Sequence, residues 1–183
     1  MKTATEKPEY MTALSGNRLV PKTHGRIAFR GLIDILEAEV IEAQVLASQM
    51  NEGEFCGFLG EILDYLRAVM AAEVKETPLA PPHLFGMDAG EIHRRSHNIE
   101  GNLSQGKPLV LPSYTQGPLA ARINTLRAKI REAELQAVRV FGPKECGEQA
   151  EEEREDIILA MNRLSSALWW LFCEYNRRNT SMG

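Results

Sequence analysis

Arg127, Arg131 and Glu134 are spaced four and then three residues apart, so a helix through them would carry all three on one face. Two arginines one turn apart suit a polyphosphate or a carboxylate, because each planar guanidinium grips such a group at two points. A second set, Asn162, Ser165, Ser166 and Trp169, forms a polar and aromatic stripe beside Met161 and Leu164. Asp34 stands between Ile33 and Ile35. The ordinary meaning of such charges is a surface ion pair of small worth. Here three separate segments each place polar groups beside an apolar seam, which points to one shared polar site.

Other sets are poorer in chemistry. His93 and His97 have the spacing of a metal pair, but there is no HExxH order and no third ligand, so roles on the helix surface or in capping are expected and no metal site is. No ExxH pair supports a di-iron carboxylate bundle. No GxxxxGK[ST] or GxGxxG loop is present, which excludes nucleotide binding by those devices.

The segments that must position these residues are helical in pattern. Phe29, Ile33, Leu36, Val40, Ala43, Ala47 and Met50 recur at steps of three and four, the mark of an amphipathic helix that Asn51–Gly53 ends. Phe55, Phe58, Leu59, Ile62, Leu66, Val69 and Val74 give a second helix, stopped by Pro78, Pro81 and Pro82. Asp88 reads as the N-cap of a short third helix reaching about His97, with Glu91 in capping-box position. Residues 98–117 form a long Gly-, Pro-, Ser- and Asn-bearing loop. A fourth helix runs from about Pro118 to Phe141 on Leu119, Ile123, Leu126, Ile130, Ala133 and Ala137. Acids between Glu145 and Asp156 suit the positive start of a fifth, built on Ile157, Met161, Leu164, Leu168, Leu171 and Tyr175. No sustained alternation signals a strand. The expected fold is all-α, a five-helix up-and-down bundle.

Composition narrows the classes. The 183 residues are 44% hydrophobic and 25% charged, ordinary globular usage for one domain. A net charge of −4 gives no basic balance for nucleic acid. Three scattered cysteines indicate a reducing, cytoplasmic setting without a disulfide framework. No run of 18 apolar residues would span a membrane. The expected organisation is a flexible lead-in over residues 1–25 without a secretory h-region, a helical bundle over 26–177, and a tail over 178–183.

Asn162-Arg163-Leu164-Ser165-Ser166 resembles the NRLSD or NRLSS signature of ATP:cobalamin adenosyltransferases. Arg127-Ala-Lys-Ile-Arg131-Glu-Ala-Glu134 is similar to their RxxxRRAE helix, Phe29-Arg-Gly-Leu-Ile-Asp34 to their first helix, and Leu109-Val-Leu-Pro112 to their FxLP loop. The order agrees across about residues 24–175. Ile92-His-Arg-Arg-Ser-His97 and the stretch from Arg154 to Ser166 resemble the ethanolamine-utilization branch more than the propanediol-utilization branch.

The resemblance implies a homotrimer with ATP and cobalamin meeting between subunits, and Mg²⁺ accompanying the triphosphate. Cob(I)alamin attacks the 5′ carbon of ATP, and adenosylcobalamin and triphosphate leave. It implies Asp34 and Arg127 as a pair joining neighbouring subunits beside the corrin. Arg131, Glu134 and Asn162 fall on the ATP side, with Arg127 and Arg131 as the catalytic pair. Lys22 matches a phosphate contact by position only. Leu109 stands where the propanediol branch has the phenylalanine that displaces the lower cobalt ligand. Two features depart from the family. Pro21-Lys-Thr-His-Gly25 is a remnant of the Gly- and Thr-rich ATP loop, and the clustered cysteines of many ethanolamine-branch proteins are absent, so their metal dependence does not transfer. The implied protein partners are a cobalamin reductase or an adenosylcobalamin-dependent enzyme, and the expected location of this protein is the cytoplasm or a bacterial microcompartment. A cobalamin-binding or delivery module, and a microcompartment-associated bundle without transferase activity, are the other readings open at this point.

Overall fold

A computed structural model describes residues 7–98, 111–143 and 153–180. Five helices carry the fold: α1 Gly25–Gln49, α2 Gly53–Lys75, α3 Ala89–His97, α4 Gly117–Phe141 and α5 Glu155–Thr180. The buried residues of α1 are Arg26, Phe29, Ile33, Leu36, Val40, Ala43 and Ala47. Those of α4 include Ile123, Leu126, Ile130, Ala133 and Ala137. On α5 the buried set includes Ile157, Met161, Leu164, Leu168, Leu171 and Tyr175. All three stripes step by three and four in alternation, the 3.5-residue period that keeps one narrow seam facing a near-parallel neighbour. Hence α4 lies between α1 and α5, and α2 closes the bundle on the other side of α1. Helix α3 packs on α5.

The helix ends have local causes. The Asp88 side chain accepts from the Glu91 backbone N–H at 2.7 Å and starts α3. Glu91 does not complete the expected capping box; its carboxylate pairs with Arg94 and Arg95 instead. Glu76 takes the left-handed conformation (φ 54°) that ends α2, two residues before Pro78. Gly25 opens α1 against α4, where a Cβ would meet Val140 Cγ2 at 2.9 Å. Gln136 Nε2 donates to the Gly25 carbonyl at 3.2 Å, so the start of α1 is seated on the last turns of α4.

Two expectations need correction. The lead-in holds a hairpin: β1 Met11–Ser15 and β2 Arg18–Pro21 pair antiparallel. Only Leu14 and Val20 of this hairpin are buried, too few side chains to leave an alternating pattern. The signal that could have revealed it is the turn dipeptide Gly16-Asn17, with Gly16 at φ +50°. In α2, Val74 is 41% exposed and Glu73 is 0% exposed, so the seam Phe55, Leu59, Ile62, Leu66, Val69 continues onto a carboxylate.

Candidate active site

Helices α4 and α5 meet along their polar stripes. Asn162 Nδ2 donates to Glu134 Oε1 at 2.7 Å. One end of the seam further on, the Arg127 guanidinium lies over the Trp169 ring, 5.2 Å from its centroid. These two contacts are seven residues apart on each helix and run in opposite senses. The helices are therefore antiparallel in a single register, and that register sets Arg131 opposite the half-buried Ser165.

The two flanks of α4 differ in charge balance. On the α1 side, Lys129 pairs with Glu39, and Arg122 pairs with Glu42 at 2.8 Å. On the α5 side, neither Arg127 nor Arg131 has a carboxylate partner among the described residues. Arg127 makes one long hydrogen bond, from Nε to Asn124 Oδ1 at 3.3 Å. Burial, and then the charge of Arg131, hold its guanidinium below the ordinary arginine range. Two like charges one turn apart, with no ion pair among the described residues, form a field that an anion would relieve. Asn162 also accepts from Arg163 Nη1, so its amide is bonded at both ends and its orientation is fixed.

The remaining sequence candidates lie apart. Asp34 is exposed on α1, with no hydrogen bond or ion pair among the described residues. It shares the outer face of α1 with Ile35, Ile41 and Val45, which are 49%, 45% and 53% exposed. Lys22 is exposed between β2 and α1. Its backbone N–H donates to the Tyr10 carbonyl at 2.8 Å, which closes the hairpin base. Leu109 falls outside the described residues. The His93 and His97 rings lie 4.2 Å apart between centroids, tilted at 44°, on the exposed side of α3. The described residues include no group of three His, Cys, Asp or Glu side chains that would hold a metal ion. Burial pushes the Cys173 thiol up to about 12, which disfavours its thiolate.

A second charged cluster escaped sequence reading. Arg26 Nε meets Glu73 Oε1 at 2.5 Å, Arg30 Nε meets Glu73 Oε2, and Arg26 Nη1 meets Glu76 Oε1 at 2.8 Å. Burial lowers the Arg26 pKa, but the hydrogen bonds to Glu73 and Glu76 outweigh it and the net shift is upward. The available signal was positional. Arg26 and Glu73 occupy the next seam positions beyond Phe29 and Val69, where an apolar residue is expected.

The family model for cobalamin adenosyltransferase matches residues 3–175, nearly the whole chain. The chain belongs to the cobalamin adenosyltransferase family. Among curated members, it is 31% identical over 164 residues to the corrinoid adenosyltransferase EutT of Salmonella typhimurium strain LT2 and 30% identical to that of Escherichia coli strain K12. Each alignment covers 90% of this chain and 58% of the relative, so the chain spans well under two thirds of those proteins' length. Among solved structures, a phenylalanine-to-alanine variant of a PduO-type ATP:corrinoid adenosyltransferase from Lactobacillus reuteri, complexed with cobalamin and ATP, superposes with a TM-score of 0.57. It is 20% identical and the match covers 88% of this chain and 86% of that one. A phenylalanine-to-histidine variant of the same enzyme gives the same TM-score, 0.57. At that identity the likeness concerns the fold: this family member shares the helical bundle of the adenosyltransferases.

Proposed function

We propose that this chain transfers the 5′-deoxyadenosyl group of ATP to cob(I)alamin, giving adenosylcobalamin and triphosphate. The observation that carries the reading is the pair of cations on the α5 side of α4, Arg127 and Arg131, which have no ion-pair partner among the described residues while those on the α1 side are neutralised. In the reaction a cobalt–carbon bond forms as the C5′–oxygen bond breaks. The electron pair of that bond departs with triphosphate. The charge gathering on the leaving group is what a cationic clamp stabilises. Arg131, with Lys22, serves the phosphates. The Glu134–Asn162 pair serves the nucleoside, since it offers a carboxylate oxygen and an amide held in fixed orientation.

Arg127 is placed on the corrin side, where Trp169 backs its guanidinium. Asp34 of a neighbouring copy is its partner in this reading, and the assembly is a homotrimer. Support comes from Asp34 itself, exposed on a face of α1 with apolar side chains that the single chain leaves uncovered. Leu109 is assigned to the cobalamin side by the resemblance of its loop alone. Mg²⁺ arrives with ATP, held by phosphate and water oxygens as is usual for that ion. The ethanolamine-utilization relatives support a role beside an adenosylcobalamin-dependent enzyme in the cytoplasm or a bacterial microcompartment, supplied by a cobalamin reductase.

The direct test is anaerobic. Protein, ATP, Mg²⁺ and chemically reduced cob(I)alamin are mixed, and the cob(I)alamin absorbance is followed. The expected result is an ATP-dependent fall and a light-sensitive product. Corrinoid binding without turnover would refute the transferase and favour a delivery protein. The subunit pair has its own test. Asp34→Arg is expected to reduce the trimer to smaller species by light scattering, and Asp34→Arg with Arg127→Asp to restore it. A trimer unaffected by the single change would remove the pair from the interface.

A further inference from the structure

The two arginines of the α5 side are held very differently. Arg131 is exposed, and no ring or carboxylate contact seats its guanidinium among the described residues. Arg127 is half-buried and seated at two points. Its guanidinium carbon lies over the Trp169 ring, 5.2 Å from the centroid. Its Nε donates to Asn124 Oδ1 at 3.3 Å, one turn back on the same helix. Its terminal nitrogens, Nη1 and Nη2, have no partner among the described residues.

The indole under Arg127 is itself fixed. It stacks on the Phe172 ring at 15°, with centroids 5.5 Å apart. Phe172 is 0% exposed and belongs to the central core. The core therefore holds the indole, and the indole holds the cation. The choice of an aromatic has a chemical reason. A guanidinium on a long flexible stem loses freedom when it binds, and a surface that seats it beforehand removes part of that cost. A carboxylate opposite Arg127 would seat it but would occupy its Nη fork and cancel its charge. An aliphatic side chain would cover it without attracting it. An aromatic face attracts the cation and leaves both its charge and its fork available.

We propose that Trp169 is a positioning residue: its indole holds Arg127 in place, with its charge intact, for an acceptor oxygen from outside the single chain. This rests on the transferase reading, in which that acceptor is Asp34 of a neighbouring copy beside the corrin, and extends it to a residue that acts through Arg127. Losing the indole frees Arg127 and leaves the contact between Asn162 and Glu134 in place. The loss should fall on cob(I)alamin and not on ATP.

Two experiments on the full chain test this. The first is kinetic and compares Trp169→Leu, Trp169→Phe, Arg127→Ala and the double variant of Trp169→Leu with Arg127→Ala. Trp169→Leu is expected to lower kcat/KM for cob(I)alamin about tenfold, the order of a partly desolvated cation–π contact, with the ATP KM changed less than about twofold. Trp169→Phe should recover most of the loss, since phenyl also offers a π face. The double variant should be no worse than Arg127→Ala within about twofold, because the indole acts only through that arginine. Additive losses, or no recovery with phenylalanine, would make Trp169 a packing residue and overturn the proposal. The second experiment needs neither turnover nor the folding of Trp169→Leu. The chain has two tryptophans, so Trp170→Phe leaves Trp169 as the sole emitter. In that background Arg127→Ala is expected to raise acrylamide quenching about twofold as the ring loses its cover. Unchanged quenching would show that the stack does not persist in solution and would overturn the proposal alone. Quenching as expected in a protein that neither binds nor consumes cob(I)alamin would overturn the transferase reading and, with it, the positioning role.

Discussion

Arg131→Ala is expected to lose about 10²–10³ in kcat for adenosyl transfer, the scale seen when a group aimed at developing charge is removed. The effect should be large because nothing nearby replaces it. Arg127 is occupied with Trp169, and no carboxylate on the described part of α4 or α5 pairs with Arg131. Lysine should rescue only in part, since it restores the charge without the two-point fork. Lys129→Ala is the control. Its ammonium is spent on Glu39 across the α1 seam, so turnover should stay within about threefold, as for a half-exposed ion pair of about 1 kcal/mol or less. Stopped-flow decay of cob(I)alamin under saturating ATP reads all three. Full turnover in Arg131→Ala would end its assignment to the phosphates.

Glu73→Ala is expected to destabilise the fold by roughly 3–5 kcal/mol, the cost of removing one partner of a buried ion pair and leaving the other uncompensated. Glu73 is 0% exposed and serves two arginines, of which Arg26 is itself 7% exposed. For a domain of this size each kcal/mol moves the thermal midpoint by about 2–4 °C, so a drop on the order of 10 °C follows. Arg30 has a further buried nitrogen, Nη2, without a partner, so the site has no spare acceptor to take over. Glu73→Leu combined with Arg26→Met should recover much of the loss, because a buried pair replaced by apolar groups of similar volume is often neutral or better. A midpoint within 2 °C of wild type for Glu73→Ala, by calorimetry, would show that solvent reaches the cluster and replaces the carboxylate.

The two predictions concern residues of very different visibility. Arg127, Arg131 and Glu134 announce themselves by spacing alone, because helical periodicity is a local property and four-residue steps place side chains on one face wherever the helix goes. The same locality made the core of α1, α4 and α5 readable in advance, and the prolines and glycines at 78, 118 and 142 marked the helix ends. Four short motifs in order were enough to identify the family. Glu73 was hidden because a carboxylate at a seam position has no meaning until its partners are known, and those lie more than 40 residues away on α1. The hairpin was hidden because it buries only two side chains, too few for an apolar alternation, which left the Gly16-Asn17 turn as its one local mark.

The amino-acid sequence by itself determined the helices, their buried faces and the polar stripes beside them. Tertiary structure alone decided which stripe is neutralised. On α4, Arg122 and Lys129 meet Glu42 and Glu39 of α1, whereas Arg127 lies over Trp169 of α5 and Arg131 stands opposite Ser165 in the same register. The physical reason is that charge balance depends on the register between helices. Register is set by packing of the whole seam, not by any one segment, so Arg122 and Lys129 find carboxylates while Arg127 and Arg131 have none among the described residues.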